Sequence, residues 1–338
     1  MSKKLTSSFE VEKNDLKLGR SKNLPYVLSE QGIVLMLQEI YMYSKICKVM
    51  NKWNLGAVLD EPQSVTGGLM HRMYQVETEA GTYAVKVLNE EVMSRPVAYR
   101  NMMNSEKIAA EFQNFLPVVA AMEFEGEQLL EVDGNYFMVF PWVDGVSVFA
   151  PDIQEAHCEK IGAILGKMHA ANLSVEGVEP EAGEAEFFAW DDFAKLAEEK
   201  GCFSEGARKK KDEAESWINV FLQALTDMKT WNRAVCEADA VLKQNVVLSH
   251  RDLEPKNVMW NDGNPLLIDW EAAGYVNPYQ ELLEIINYWA DDGQGGLKKT
   301  YFDALLKEYR KYMSLDEIDW DIVFAGSFSG MLGWLEYN

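Results

Sequence analysis

The first part of the chain carries apolar residues at the spacing of one helix face. Between residues 29 and 54 these positions recur in steps that fit a helical turn, and Ser29 stands where an N-cap would fall. Gly56 follows at the place of a C-terminal helix cap. The apolar positions are Ile33, Leu37, Ile40 and Tyr41. The pattern predicts one long N-terminal helix.

From residue 58 the pattern changes to short apolar runs separated by glycine turns, which is typical of strands. Residues 73–78 and 82–88 flank the dipeptide Ala80-Gly81, so we expect a hairpin there. A second hairpin pattern with two glycine turns runs from residue 118 to residue 140. Between the two hairpins, residues 96–115 have the pattern of a single helix.

Beyond Gly145 most of the chain has a helical pattern. This pattern is interrupted between residues 246 and 270, where two short apolar runs have the character of strands. A sheet-rich first part followed by a larger helical part predicts an α+β fold.

The charge balance is strongly acidic, because 32 Lys and Arg stand against 54 Asp and Glu and give a formal net charge of −22. Binding to a nucleic-acid backbone needs clustered Lys and Arg, so we expect no nucleic-acid partner. An acidic surface attracts cationic ligands, but it also serves solubility alone. The charge by itself does not choose between these two interpretations.

The four cysteines lie far apart, which is the pattern neither of a zinc site nor of a disulfide framework, and it fits a reducing compartment. The first eight residues are polar and basic, unlike a signal peptide. The longest apolar run, residues 33–37, is too short to span a bilayer. We therefore expect a cytoplasmic protein without a membrane partner.

The strongest local signal is Ser-His-Arg-Asp-Leu-Glu-Pro-Lys-Asn at residues 249–257, which lies between two apolar runs. Twelve residues after Asn257, a further apolar run ends in Asp269. Phosphoryl transfer needs one carboxylate at the attacking hydroxyl and separate oxygen ligands for magnesium. Asp252 fits the first role, and Asn257 and Asp269 fit the second. We expect His250 to be structural and to fix the backbone of this loop rather than to act as an acid or base.

This segment resembles the catalytic and metal-binding loops of the aminoglycoside phosphotransferase family, which is also similar to choline kinases and, more distantly, to protein kinases. The resemblance implies a two-lobed protein-kinase-like fold and the use of Mg²⁺ with ATP or GTP. It also implies three parts of the chain: an extension with one long helix (residues 1–56), a nucleotide-binding N-lobe (57–143) and a helical C-lobe (144–338). The C-lobe would carry the catalytic loop, the metal site and the acceptor site.

The resemblance also implies a set of nucleotide-binding residues. Lys86, on an apolar strand, would contact the phosphates, and a glutamate of the following helix would hold it. Glu106 is the better candidate for this glutamate, and Glu111 is the alternative. The backbone of the expected nucleotide-covering loop and of the hinge between the lobes would bind the rest of the nucleotide. These positions are Gly67 and Gly68 in the covering loop and Phe140 to Val143 in the hinge.

Two departures from protein kinases favour a small-molecule kinase. Those kinases place a lysine two residues after the catalytic aspartate, whereas this chain has Glu254 there and Lys256 two residues later. Pro278 comes nine residues after Asp269, which leaves no room for the activation segment that docks a peptide. A protein kinase and a non-catalytic nucleotide-binding module with the same fold are the alternatives.

The acceptor site of the family lies between the catalytic loop and the C-terminal helices, and it is often acidic. The corresponding stretches of this chain contain several carboxylates and aromatic side chains, which favour a cationic acceptor. The candidate acceptor-binding residues are Glu254, Glu271, Glu281, Tyr288 and Asp291, with Trp289 and Asp292 beside them. An aminoglycoside, a choline-like amine and another hydroxylated metabolite all fit this pattern.

Overall fold

The computed structural model describes residues 30–65, 70–181, 183, 185–200 and 211–337. Helix α1 (Glu30–Lys52) confirms the predicted N-terminal helix, while Ser29 lies outside the described residues. The chain divides within this helix into two compact units, one up to Lys45 and one from Ile46 onward. The predicted domain boundaries after residues 56 and 143 stay a prediction.

The first part of the second unit forms a five-stranded antiparallel sheet in the order β1-β2-β3-β5-β4. The hairpin predicted around Ala80-Gly81 is confirmed, with Thr78 paired to Gly81 at its turn. In the centre of the sheet, Lys86 lies opposite Met73 on one side and Met138 on the other. The strands are β1 (Gln63–Val65), β2 (Arg72–Thr78), β3 (Gly81–Val87), β4 (Leu130–Val132) and β5 (Asn135–Pro141).

Two helices follow β3, a single turn α2 (Glu90–Met93) and the longer α3 (Ala98–Gln113), where the sequence predicted one helix. Asn89 caps α2, because its side chain accepts a hydrogen bond from the backbone N–H of Glu91 at 2.8 Å. The first half of α3 packs on the sheet through its methionines, and the second half joins the main core through Phe112.

The remainder of the chain is mainly helical, as the sequence predicted. A three-stranded sheet, β6-β8-β9, and a two-stranded sheet, β10-β7, interrupt the helices. The helices are α4 (Glu155–Ala171), α5 (Trp190–Lys200), α6 (Lys211–Leu242), α7 (Pro278–Trp289), α8 (Lys299–Tyr309) and α9 (Trp320–Tyr337). The strands are β6 (Val146–Ser147), β7 (Val247–Ser249), β8 (Val258–Asn261), β9 (Asn264–Leu267) and β10 (Gly274–Val276).

One apolar core supports the short strands. Leu248, Val258 and Leu267 are fully buried, and each comes from a different strand. Trp270 stacks on Phe112 with ring centroids 5.5 Å apart, so α3 is tied to the loop that follows β9. The predicted α+β class is therefore confirmed, with the antiparallel sheet first and the helical part after it.

Helices α4 and α8 lie very close to each other at Gly162. A Cβ atom at this position would overlap the carbonyl oxygen of Leu305, and one at Gly166 would lie 3.0 Å from the carbonyl oxygen of Tyr309. Because both obstacles are backbone atoms, α8 can reach its place in the core only if these two positions of α4 lack side chains.

We predict that Gly162→Ala lowers the free energy of unfolding by about 1–3 kcal/mol, since the added methyl group overpacks a backbone contact. The matched control is Gly330→Ala on α9, where nothing lies within 4 Å of an added Cβ. That change should be neutral or stabilising by about 0.5–1 kcal/mol, because alanine is the better helix former. Urea unfolding of both variants measures the difference, and equal stabilities would contradict the close approach of α4 and α8.

Candidate active site

The loop between β7 and β8 holds Asp252 through the side chain of Asn257. The amide nitrogen of Asn257 donates to the backbone oxygen and to the carboxylate Oδ2 of Asp252, both at 2.8 Å. A 3₁₀ turn, Pro255–Asn257, brings Asn257 to this position. Because the amide nitrogen is engaged with Asp252, the amide oxygen is the group that Asn257 can offer to a cation.

A second loop, which follows β9, is fixed to the first one by one backbone hydrogen bond and one hydrogen bond from a side chain. The N–H of Ile268 donates to the carbonyl oxygen of Asn257 at 3.0 Å, and Nε2 of the buried His250 donates to the carbonyl oxygen of Ile268, also at 3.0 Å. Asp269 comes next, with a φ of +60°, a strained conformation for a residue with a side chain. The two predicted metal ligands, Asn257 and Asp269, are thus brought next to each other.

Lys86 reaches this second loop from the five-stranded sheet. Its ammonium nitrogen lies 2.9 Å from Oδ1 of Asp269, 183 residues away in sequence, and also contacts Oε1 of Glu271. Burial alone would lower the pKa of Lys86, but the negative charges of Asp269 and Glu271 outweigh burial and raise it. Lys86 is therefore a charged group in a largely buried place.

Glu106 does not occupy the position that we expected. It is buried on α3, and its Oε2 accepts a hydrogen bond from the backbone N–H of Ala121 at 2.8 Å. Burial raises the pKa of Glu106 to about 7, against the opposing effects of that N–H and of Lys86. Glu111, the alternative, is exposed on the same helix. The glutamate that contacts Lys86 is Glu271, which corrects the expected pairing.

Glu271 also differs from its expected place beside the acceptor. It lies in the 3₁₀ turn Trp270–Ala272, with one carboxylate oxygen against Lys86 and the other 3.2 Å from Nε2 of His71. Burial alone would raise the pKa of Glu271, but hydrogen bonds from His71 and Lys86 lower it to about 2. The physical reason is that the positive charge of Lys86 and the ring of His71 hold this carboxylate next to Lys86.

Glu281 lies in the interior and not on an acceptor-facing surface. Its Oε2 is 2.7 Å from Nε2 of His169, whose Nδ1 is 2.9 Å from the hydroxyl of Tyr309. Its Oε1 accepts the backbone N–H of Arg251 at 2.8 Å. Arg251 immediately precedes Asp252 and has a φ of +63°. Glu281 therefore supports the loop of Asp252 from behind, which corrects our expectation that it contacts the acceptor.

The surroundings of Asp252 are acidic, with one lysine as compensation. Burial raises the pKa of Asp252 to about 6, Lys256 opposes this effect, and Glu254 adds to it. The ammonium nitrogen of Lys256 lies 3.6 Å from Oδ2 of Asp252 and also contacts Glu254. Lys256 stands two positions later in the sequence than the corresponding lysine of protein kinases. It nevertheless lies beside Asp252, the carboxylate that we expect to be the base.

Tyr288 and Glu284 extend this acidic region along α7. The hydroxyl of Tyr288 lies 3.4 Å from Oε1 of Glu284. Burial raises the pKa of Tyr288 to about 12, with further contributions from Glu284, Glu254 and Asp252. The predicted residues Glu254 and Tyr288 are therefore both within electrostatic reach of Asp252.

The other predicted residues belong to other segments of the chain or lie outside the described residues. Asp291 is exposed and accepts the backbone N–H of Gly293 at 2.8 Å, so it shapes the loop after α7. Gly67 and Gly68 lie outside the described residues. Phe140 is part of β5, and Val143 follows two residues after the end of that strand.

Two residues of the site were missed in the sequence. Glu284 lies four residues before Tyr288 on α7, and this helical spacing was a usable signal. His71 lies one residue before β2 and reaches Glu271 only through the tertiary fold, so no local pattern indicates it.

The geometry agrees with a comparison against protein families, in which a model described as the phosphotransferase enzyme family (APH) matches residues 62–315. This protein belongs to the phosphotransferase enzyme family. The family predicted from the sequence is thus confirmed.

Two curated proteins to which this chain is similar are named as kinases. "Stress response kinase A" of Escherichia coli (strain K12) is 25% identical over 202 residues, which are 60% of this chain and 54% of that protein. "Serine/threonine protein kinase RdoA" of Salmonella typhimurium is 22% identical and covers 77% of this chain and 72% of that protein. The chain thus spans only about half the length of the first of these relatives.

Solved structures establish the fold of this chain. A spectinomycin phosphotransferase in complex with ADP and spectinomycin has a TM-score of 0.62 at 13% identity, covering 87% of this chain and 86% of that one. An amicoumacin kinase in complex with AMP-PNP and Ca²⁺ has a TM-score of 0.53 at 16% identity, covering 89% and 88%. The predicted two-lobed protein-kinase-like fold is confirmed by these likenesses.

The oxygen donors of this candidate site fit a hard divalent cation. The amide oxygen of Asn257 and the carboxylate of Asp269 are oxygen ligands on adjoining loops. Within the described part of the chain, no group of three or more His, Cys, Asp or Glu could hold a metal ion by itself. A cation at this place would take its further ligands from nucleotide phosphates and water, as Mg²⁺ does in kinases. In the same part of the chain, no helix is long and apolar enough to cross a membrane.

We predict that acid weakens the contacts of Glu281. Burial opposes ionisation, but the hydrogen bond and charge of His169 hold the pKa of Glu281 below its ordinary value of 4.5. Because the folded pKa is depressed, the contribution to stability is complete above about pH 4.5 and is lost as the pH falls through the folded pKa. Glu281→Gln should lower the free energy of unfolding by about 1–3 kcal/mol at pH 7, and the difference should shrink below pH 4.5.

Glu284→Gln on the same helix is the matched control, because burial, together with the charge of Glu281, raises the pKa of Glu284. An ionised group with a raised folded pKa destabilises the fold, so this variant should be neutral or stabilising at pH 7. Urea unfolding between pH 7 and pH 3 measures the free energy of unfolding of both variants. If this free energy depends on pH in the same way in both, the contacts of Glu281 with His169 and Arg251 do not have the stabilising effect that we expect.

Proposed function

We propose that this protein transfers the γ-phosphoryl group of ATP or GTP to a hydroxyl group of a small molecule. The observation that carries the proposal is the convergence of four side chains from distant parts of the chain. Asn257 holds Asp252 at 2.8 Å, its backbone holds the segment that leads to Asp269, and Lys86 lies 2.9 Å from Asp269. This is the set of groups that phosphoryl transfer requires.

Asp252 would act as the base. Its carboxylate, fixed by Asn257, accepts the proton of the attacking hydroxyl as the new O–P bond forms and the bond to the β-phosphate oxygen breaks. The proton passes from Asp252 to water, and the nucleoside diphosphate leaves. A base whose pKa is raised to about 6 is mostly ionised at pH 7 and still accepts a proton readily.

The phosphates would be held from two sides. Lys86 contacts their oxygens from the sheet, and Asn257 and Asp269 would hold Mg²⁺ on the opposite side. When bound, Mg²⁺ would neutralise negative charge on the phosphate oxygens. The carboxylate of Asp269 is 43% exposed, so it is open to a ligand. The backbone near Phe140 and Val143 would bind the adenine or guanine base.

A cationic acceptor is favoured by the charges around Asp252. Glu254, Glu284 and Tyr288 lie within electrostatic reach of it, and the chain as a whole carries a formal net charge of −22. Carboxylates beside the base would attract an ammonium group and hold the neighbouring hydroxyl near Asp252. Aminoglycosides and amino alcohols have this chemistry. We place the reaction in the cytoplasm, without a membrane or nucleic-acid partner.

A protein kinase is the second candidate, favoured by the name of one relative, the serine/threonine protein kinase RdoA of Salmonella typhimurium. Against it, α7 begins at Pro278, nine residues after Asp269, and β10 occupies part of this short connection. An activation segment that docks a peptide has no room here, so the small-molecule acceptor remains our proposal.

We predict that Asp252→Asn and Asp269→Asn separate the chemical step from nucleotide binding. Loss of a positioned base lowers the rate by about 10²–10⁴-fold, so Asp252→Asn should lose kcat and keep its affinity for the nucleotide. Asp269→Asn should weaken nucleotide binding in the presence of Mg²⁺ and have a smaller effect in EDTA. Isothermal titration and steady-state kinetics give the two readouts, and full turnover by Asp252→Asn would show that another group is the base.

The acceptor is found by measuring the release of nucleoside diphosphate with Mg²⁺ and ATP or GTP. Aminoglycosides, choline-like amines and neutral hydroxylated metabolites form the panel, and Asp252→Asn is the blank. We expect stimulation by an amine that carries a hydroxyl group. Transfer of labelled phosphate to protein substrates alone would favour the protein kinase, and nucleotide binding without any transfer would favour a non-catalytic module.

A further inference from the structure

Three side chains from three segments form a buried chain of contacts behind the nucleotide site. They are His71, one residue before β2, Lys86 in β3, and Glu271 in the turn after β9. Their side chains are 4%, 9% and 19% exposed, respectively. Lys86 contacts Oε1 of Glu271, and His71 lies 3.2 Å from Oε2. Glu271 thus has a separate partner for each carboxylate oxygen.

The tautomer of His71 is determined by its other ring nitrogen. The backbone N–H of Asn89 donates to Nδ1 of His71 at 2.9 Å, so Nδ1 acts as the acceptor. The ring hydrogen is therefore on Nε2, the atom that faces Glu271. Nε2 lies 3.2 Å from one oxygen of Glu271 and Lys86 contacts the other, so the carboxylate lies between two groups that limit its orientation.

Asp269 and Glu271 cannot have the same part in the reaction. Lys86 contacts both, but Asp269 is the more exposed and would be needed by the cation that comes with the nucleotide. If Asp269 turns to the cation, Glu271 is the carboxylate that stays with Lys86. A lysine ammonium has three donors, so it can keep Glu271 and bind phosphate oxygens together.

Resting on the proposed function, we infer that Glu271, held by His71, is the residue that positions Lys86 on the nucleotide phosphates, in place of Glu106. Glu106 accepts the backbone N–H of Ala121 at 2.8 Å and so belongs to the contact between α3 and the segment before β4. Glu271 and His71 are positioning residues, because they act on the nucleotide through Lys86.

The test compares Glu271→Gln with Glu106→Gln, two isosteric changes that each remove one buried carboxylate. Removal of a supporting partner of this kind typically weakens binding or activity by about 10–100-fold. We expect Glu271→Gln to raise the KM and Kd for the nucleotide by at least about tenfold more than Glu106→Gln does. The KM for the acceptor should change little. The Kd is measured by titration with ATP and Mg²⁺, independently of turnover.

A double-mutant cycle distinguishes positioning from general support of the fold. In a Lys86→Met background, Glu271→Gln should have little further effect on the Kd, because the group that it positions is gone. His71→Gln keeps an N–H donor for Glu271, whereas His71→Ala does not. The nucleotide affinity should therefore be nearer to that of the wild type in His71→Gln than in His71→Ala.

Each failure has its own signature. If the wild type binds no nucleotide, the proposed function is wrong and this inference with it. If the wild type binds and Glu106→Gln has the larger loss, Glu106 is the partner of Lys86 and only the inference is wrong. Additive effects of Glu271→Gln and Lys86→Met would also overturn it. If Glu271→Gln melts at a much lower temperature, the two His71 variants carry the test.

Discussion

The ammonium group of Lys86 is largely buried, and its need for negative partners organises the site. A buried charge without partners is strongly unfavourable, so the fold must bring carboxylates to it. Asp269, which is 183 residues from Lys86 in the sequence, and Glu271 come from the same loop. His71 contacts Glu271 from the other side. One charge thereby joins the five-stranded sheet to the loop that follows β9.

The loop that carries Asp252 depends on a second buried arrangement, which supports unusual backbone conformations. Arg251 and Asp269 both have positive φ values, of +63° and +60°, although neither is a glycine. Such conformations persist only where the surroundings determine them. At Arg251 the backbone N–H is held by Glu281, which is itself held by His169, and at Asp269 the preceding residue is held by Asn257 and His250. Strain at the two loops is thus balanced by hydrogen bonds from the core.

The acidic residues near the site have distinct environments, and these decide their chemistry. Burial raises the pKa of Asp252 to about 6, whereas hydrogen bonds from His71 and Lys86, which outweigh burial, lower the pKa of Glu271 to about 2. Glu281 is fully buried and remains ionised through its contact with His169. Three carboxylates within one site thus differ in the pKa that their surroundings give them, in one case raised and in two cases lowered.

The sequence by itself determined the α+β class, the long first helix, the β2–β3 hairpin and the family, because periodicity and the motif at residues 249–257 are local patterns. It also indicated Asp252, Asn257, Asp269 and Lys86 as candidate site residues, because residue type and spacing were enough to suggest their chemistry. Only the tertiary structure decided which glutamate contacts Lys86 and which one holds Arg251. Glu106, Glu271 and Glu281 are the same residue type, so the sequence does not distinguish them. Which of them forms an ion pair depends on distances in space, and these cannot be derived from the separation of residues along the chain.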